Sequence, residues 1–218
     1  MAEGGGDGGD SPMDGHDDVD DGMRRIQRQH SYHEVSEQAT VLLRHFIIDR
    51  FERDSVQGAP RLADLGSISP EQEEVWRRVG GTLREIGDIL DQDRELQRLI
   101  NTVPTDSPIE KIIAVAQVIF GDGEIHWGRI IGLFYFAYRM CVRAMENLLL
   151  QNFPSWVNQL IKEIVRFLVR RFADWIINRG GWTAIKEYFG SSTRVVGTLF
   201  LLSILTLGFG VYKLNKGS

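Results

Sequence analysis

Residues 130–138 read Ile-Ile-Gly-Leu-Phe-Tyr-Phe-Ala-Tyr, nine consecutive positions without a polar face. They lie inside the most apolar internal segment, Ile125 to Ala144, and a helix apolar all round is a helix buried on all sides. The rest of the chain must therefore cover it, and the sequence around it reads as helix. From about Tyr32 to Arg53, Val35, Ala39, Leu42, Leu43, Phe46 and Ile47 recur at spacings of three and four. A loop rich in Gly, Pro and Ser follows, through Gly58, Pro60, Gly66 and Ser67. Ser69-Pro70 then starts a second helix, with Ser as N-cap, Pro in the first turn and Gln72 at the capping-box position. It is predicted to run on to Ile100. Ser107-Pro108-Ile109-Glu110 repeats the signature and opens a helix to about Phe120.

Gly121-Asp122-Gly123 breaks the chain before the apolar segment, and Asn152-Phe153-Pro154 makes a turn after it. Trp156 to Ala173 reads as a partner helix carrying Lys162, Arg166, Arg170 and Arg171. Gly180-Gly181 is predicted to end a following short helix, with one more from Trp182 to Phe189. No segment shows strand alternation bounded by hairpin turns, so the expected fold class is all-α.

The two ends differ from this body, which is expected over residues 23–190. The chain has 218 residues and a formal charge of -5, but residues 1–22 hold eight acids and no Lys or Arg. That leader carries -8, which leaves +3 for the other 196 residues. With seven glycines and no aromatic it offers little to bury and is predicted to be disordered. It lacks the basic start and apolar stretch of a signal peptide. At the other end, residues 194–213 form a tail whose Val195 to Tyr212 section is 18 residues without a charge. At 1.5 Å per residue this spans about 27 Å, close to a thin bilayer core. Val195, Leu199, Leu202, Leu205 and Tyr212 belong to that run, with Lys213 and Lys216 just after it. A membrane anchor is the expectation. A buried core helix is the bland alternative, and Thr198, Ser203, Thr206 and three glycines leave open a tail that hides in a protein groove.

Enzymatic and metal chemistry find no foothold. Cys141 is the one cysteine, which excludes a disulfide framework and a cysteine-rich zinc site, and it lies in an apolar helix without a designated His. His30 and His33 share a helix face, but nothing completes a metal site around them. There is no phosphate-binding glycine loop followed by Lys and no GxSxG elbow. The charge balance argues against a basic DNA-binding domain. No catalytic residue, cofactor or metal is expected, and no nucleic acid as partner.

Residues 79–91, VGGTLREIGDILD, place Val79, Leu83, Ile86 and Leu90 on one helical face at spacings of four, three and four. Asp88 lies beside that face, and Gly87 permits close approach of a neighbour. Gly80, Gly81 and Gly87 each cost about 0.8–1 kcal/mol relative to Ala, so this helix depends on tertiary contacts. Leu83-x-x-x-Gly87-Asp88 resembles the third homology (BH) motif of the Bcl-2 family of apoptosis regulators. Phe120 to Ala137, around Trp127-Gly128-Arg129, resembles that family's first BH motif. Trp175 to Gly190, with Gly180-Gly181-Trp182 at its centre, resembles the second, and Glu37 to Arg50 looks like the helix that carries the fourth. The matches stand in the family's order over about residues 35–213. Glu95 to Ile100, Thr105 to Pro108 and Gly128 to Ala137 look most like its pro-apoptotic effector members. The acidic leader is longer and more charged than that pattern suggests, so no role carries over to it.

The resemblance implies a bundle in which amphipathic helices wrap a buried hairpin, Ile125 to Ala173. It implies a hydrophobic groove bordered by the second helix, the next two and the central one. Val79, Leu83, Ile86 and Leu90 would be the anchors that a neighbour's groove receives. Asp88 would meet the partner's copy of Arg129, and Gly128 would leave the backbone approachable at the head of the central helix. From the residues alone, Arg129 is open to capping a helix end or pairing with a local acid. Gly180-Gly181 is open to being a helix stop, and Trp127, Trp156, Trp175 and Trp182 to being core packing. The implied function is an effector that oligomerises by exchanging this helix groove to groove and permeabilises the mitochondrial outer membrane. Its implied partners are activating BH-helix proteins, pro-survival members, further copies of itself as dimers and higher oligomers, and mitochondrial outer membrane lipids. The implied location is the cytosol and that membrane. The alternative is a pro-survival guardian whose groove sequesters the BH helices of pro-apoptotic partners.

Overall fold

A computed structural model describes residues 15–103, 109–146 and 152–190 of the chain. Its described residues form seven α-helices and one short 3-10 turn, with no strand. They are α1 (Gly15–Arg53), the 3-10 turn (Leu62–Leu65), α2 (Pro70–Gln92), α3 (Arg94–Thr102), α4 (Ile109–Ile119), α5 (Trp127–Glu146), α6 (Phe153–Asn178) and α7 (Ala184–Phe189). The all-α expectation is met.

Helix α5 is the centre. From Trp127 to Tyr138 every side chain is buried, as the absence of a polar face requires, and burial continues through Met140, Cys141, Ala144 and Met145. α1, α2, α4 and α6 all pack on it, and α1 lies along both α2 and α6. α6 completes the hairpin. Its inner face is Val157, Leu160, Ile161, Ile164 and Leu168, while Lys162 and Arg170 stay exposed on the other side. Each fully buried Leu, Ile, Val or Phe of this core contributes about 1.5–3 kcal/mol relative to exposure.

The start of α2 forms as the sequence predicts. Ser69 Oγ accepts the Gln72 amide at 3.2 Å, and Gln72 Oε1 accepts the Ser69 amide at 2.9 Å. Four boundaries differ from expectation. The helix predicted to reach Ile100 breaks at Asp93, whose ψ of 99° is extended and whose Oδ1 accepts the Leu96 amide at 3.0 Å. Asp93 thus ends α2 and caps α3 without needing Gly or Pro. α6 runs unbroken past Ala173, because Phe172 and Ile176 continue the buried spacing of Leu168. It ends at Gly180-Gly181, where φ of +92° and +74° closes the helix with bonds from Gly181 N to Ile176 O and Gly180 N to Ile177 O. The helix predicted from Trp182 begins at Ala184 instead, with Trp182 in the preceding turn. Finally, α1 begins at Gly15 rather than near Tyr32, inside the leader predicted to be disordered. No proline interrupts residues 15–53, so the chain can continue the helix through them.

Residues 1–14, the Ser107-Pro108 start and the tail over residues 194–213 lie outside the described residues. Among those described, no helix is long and apolar enough to cross a membrane.

Candidate functional site

The helix with the LREIGD sequence, α2, is docked with its apolar row inward. Val79, Leu83, Ile86 and Leu90 are all at most 2% exposed. Gly87 faces α1: a Cβ there would lie 3.2 Å from Arg50 Cδ and 3.4 Å from the Phe46 ring. The close approach expected of Gly87 is therefore made, by side chains of α1. Gly80 serves Trp76 of the same helix, whose indole lies where a Cβ would meet it at 2.8 Å. That ring stacks on His45 of α1, centroids 5.0 Å apart, and carries the Arg84 guanidinium at 5.2 Å, with Arg84 also bonded to Asp49.

Asp88 is not free. Its Oδ1 accepts Arg50 Nη1 at 2.6 Å and Arg53 Nε at 3.2 Å, and its Oδ2 accepts Arg53 Nη2 at 2.5 Å. Arg50 is 2% exposed and is the hub of a polar network that the sequence reading did not anticipate. Its Nη2 donates to Asp54 at 3.1 Å and lies 3.6 Å from Asp91. Tyr138 of α5 donates to Asp54, and Tyr135 donates to Asp91 at 2.7 Å while accepting Gln97 of α3 at 2.5 Å. One buried cation thereby ties α1, α2, α3 and α5 together. Burial by itself would lower the Arg50 pKa, but Asp54, Asp88 and Asp91 outweigh it and raise it, so the guanidinium stays charged. Burial pushes the Tyr135 and Tyr138 hydroxyls upward, reinforced by the carboxylates they donate to.

The head of α5 holds the second cluster. Arg129 is buried, and its Nη1 and Nη2 reach the two carboxylate oxygens of Asp122 at 2.5 and 2.7 Å. Nη1 also donates to the Glu124 carbonyl at 2.7 Å. Of the alternatives open for Arg129, pairing with a local acid is the one adopted within this chain. That pair holds the Asp122 carboxyl down at about 2. His126 caps α5, accepting the Arg129 amide on Nδ1 at 3.3 Å. A Cβ on Gly128 would lie 3.0 Å from that nitrogen, so the missing side chain makes room for the His126 ring. Burial, then the Arg129 charge, lowers the His126 pKa and keeps the ring an acceptor.

The second BH-like motif packs against the head of α5 and against α1. Trp182 is fully buried and donates Nε1 to the Val35 carbonyl of α1 at 2.9 Å. It packs on Trp127 at 5.7 Å and Phe134 at 6.0 Å, while Trp175 meets Trp127 at 4.9 Å. The tryptophans are thus packing residues, and Gly180-Gly181 is a helix stop. Asp88 and Arg129 are not brought together within one chain. Val195, Leu199, Leu202, Leu205 and Tyr212 lie outside the described residues. Missed in the sequence were Arg50, Arg53, Asp91 and Asp122. Arg50 did leave a signal, since it continues the inward row of Ala39, Leu43 and Phe46 at the next four-residue step.

With this geometry in hand, known proteins supply a context. The family described as apoptosis regulator proteins, Bcl-2 family, matches residues 83–182. Human apoptosis regulator BAX is 35% identical over 184 residues, spanning 84% of this chain and 91% of that protein. Chicken BOK in its crystal structure superposes with a TM-score of 0.55 at 22% identity, over 72% of this chain and 97% of that one. Trichoplax adhaerens trBcl-2L2, solved bound to trBak BH3, gives 0.53 at 19% identity, over 70% and 97%.

Proposed function

The chain belongs to the Bcl-2 family of apoptosis regulators, and from that premise we propose that it is a pro-apoptotic effector that permeabilises the mitochondrial outer membrane. In this reading a BH helix from an activating partner opens the bundle, and α2 leaves its seat. Two molecules then insert α2 into each other's grooves, and dimers assemble further at the bilayer. Resting protein is shared between the cytosol and that membrane, with residues 194–213 as tail.

The observation that carries the reading is the way α2 is held. Its whole apolar row is sealed inside, so it presents nothing to a partner while docked. Its charged edge residues Asp88, Asp91 and Arg84 are engaged by Arg50, Arg53 and Asp49 of α1. Three glycines lower its intrinsic helical stability by roughly 3 kcal/mol. A helix whose persistence depends on contacts with its neighbours is suited to leaving them for equivalent contacts elsewhere. The BAX similarity over 84% of the chain supports the effector branch. The BH3-bound Trichoplax protein, alike in fold, supports a groove that takes such a helix.

Dye release from liposomes of mitochondrial outer membrane composition tests the proposal. Full-length protein with an activating BH peptide is expected to release dye in a dose-dependent way. No release across a hundredfold range of protein would sink it. Expression in cells lacking endogenous effectors separates the guardian alternative, since an effector kills there and a guardian has nothing to restrain.

A further inference from the structure

The Asp122–Arg129 pair has an unequal construction. The Arg129 side chain is 7% exposed and fixed at the head of the central helix, whereas the Asp122 side chain is 41% exposed. Asp122 sits in the Gly121-Asp122-Gly123 loop between α4 and α5, with Gly123 at φ +82°. Both terminal nitrogens of Arg129 are occupied by Asp122, and Nη1 also by the Glu124 carbonyl. Its Nε is buried without a hydrogen-bond partner. The cation is therefore built into the bundle, and its anion is held on a surface loop by one side chain. A carboxylate arriving on a partner helix finds the two-pronged fork of Arg129 already taken by Asp122. It must displace Asp122 or meet it as a like charge.

Resting on the groove-exchange reading above, we propose that Asp122 is an internal stand-in for the carboxylate of an incoming helix, Asp88 of a second copy of this chain, and sets the threshold for entry at Arg129. The chemistry of the two carboxylates is the same, and the fork of Arg129 takes either one bidentately. Displacement is cheap on the side that moves, because the Asp122 carboxylate swings from a half-exposed position into water. Asp88 is held in the same manner in its own chain, by Arg50 and Arg53. Per molecule, exchange thus replaces three intrachain carboxylate–guanidinium contacts, Asp88 with Arg50 and with Arg53 and Asp122 with Arg129, with one between chains and leaves Asp122 free. Deleting the Asp122 charge removes the competitor and favours the partner's Asp88.

The test is fluorescence anisotropy of a labelled peptide copying residues 70–92, titrated with full-length protein at fixed salt. Asp122→Asn is expected to bind the peptide about tenfold more tightly, the scale of one charge-assisted hydrogen bond. Asp122→Ser should do the same, and Asp122→Glu, which keeps the charge, should stay within about twofold of the unsubstituted chain. With a peptide carrying Asp88→Asn, the gain should disappear. An equal gain for the Asp88→Asn peptide would overturn the proposal, because it would report general loosening of the groove. Unchanged or weaker binding by both Asp122→Asn and Asp122→Ser, with melting curves showing both folded, would overturn it too. Absence of peptide binding by every protein would instead overturn the groove reading itself, and this proposal with it.

Discussion

Arg50→Met is the perturbation that most directly asks what holds α2 in place. Methionine keeps the length of the stem that lies against Gly87, so no large cavity confounds the change, and only the charge and its donors are lost. Arg50 gives two hydrogen bonds to carboxylates, Asp88 at 2.6 Å and Asp54 at 3.1 Å, and lies 3.6 Å from Asp91. Hydrogen bonds to charged groups contribute about 1.5–3 kcal/mol each, and breaking a buried ion pair on one side costs about 3–5 kcal/mol. Asp88 and Asp91 are themselves about 40% exposed, so water repays part of the loss and the lower end applies. The expected destabilisation is about 3 kcal/mol, measured by urea unfolding. Because the hub joins α2 to α1 and α5, amide exchange in α2 should accelerate by on the order of a hundredfold, at 1.4 kcal/mol per factor of ten. Arg53→Met is the control: Arg53 bonds the same Asp88 but is half-exposed, and its loss should cost about 1 kcal/mol or less. If the two variants were equal in stability and in α2 exchange, the buried hub would not be what retains the helix.

Three further outcomes follow from neighbouring contacts. Gly81→Ala places a Cβ in open space and should stabilise α2 by up to about 1 kcal/mol. Gly87→Ala instead presses on Arg50 and on the fully buried Phe46 ring and should destabilise by about 1 kcal/mol net, so melting temperatures should move in opposite directions. Trp182→Phe removes the 2.9 Å bond to the Val35 carbonyl and should cost about 1–2 kcal/mol in equilibrium unfolding. Burial lowers the His45 pKa below its ordinary 6.5, and its Nε2 is buried without a partner. Stability linked to this group is therefore complete above pH 6.5 and is lost as pH falls toward the folded value. His45→Phe keeps a ring on Trp76 and should flatten the decline between pH 7 and 5, read from melts across that range.

What the sequence made legible was whatever depends on period. The buried centre of α5, the inward row of α2 and the capped start at Ser69 are all local patterns, set by which residues recur every three or four positions. Charge partners are a different matter. Arg50 and Asp88 are 38 residues apart, and no spacing rule connects them. Asp88 could be placed beside the apolar row, but not assigned its two arginines. Arg129 fell between, because its acid is only seven residues away in a loop, so a local pair could be foreseen as an option without being chosen. Helix ends failed where the signal was weak rather than absent. Asp93 caps α3 through its carboxylate while no Gly or Pro marks the break, and Ala173 offered no reason to stop that the continuing row through Phe172 and Ile176 did not override.

The exchange proposed for α2 also explains why its charged contacts matter more than their size suggests. Four buried anchors contribute about 6–12 kcal/mol gross, far above any single ion pair. A partner's groove buries the same four side chains again, so in an exchange between two copies much of that large quantity is offset. What does not cancel is the set of contacts that differ between the closed chain and the exchanged pair. On the closed side these are Asp88 with Arg50 and Arg53, and Arg129 with Asp122; on the exchanged side, Asp88 with Arg129. Each is worth a few kcal/mol at most, yet together they decide which way the balance falls. Apolar burial then sets how firmly α2 is held in either seat, and the placement of a few carboxylates sets which seat it takes.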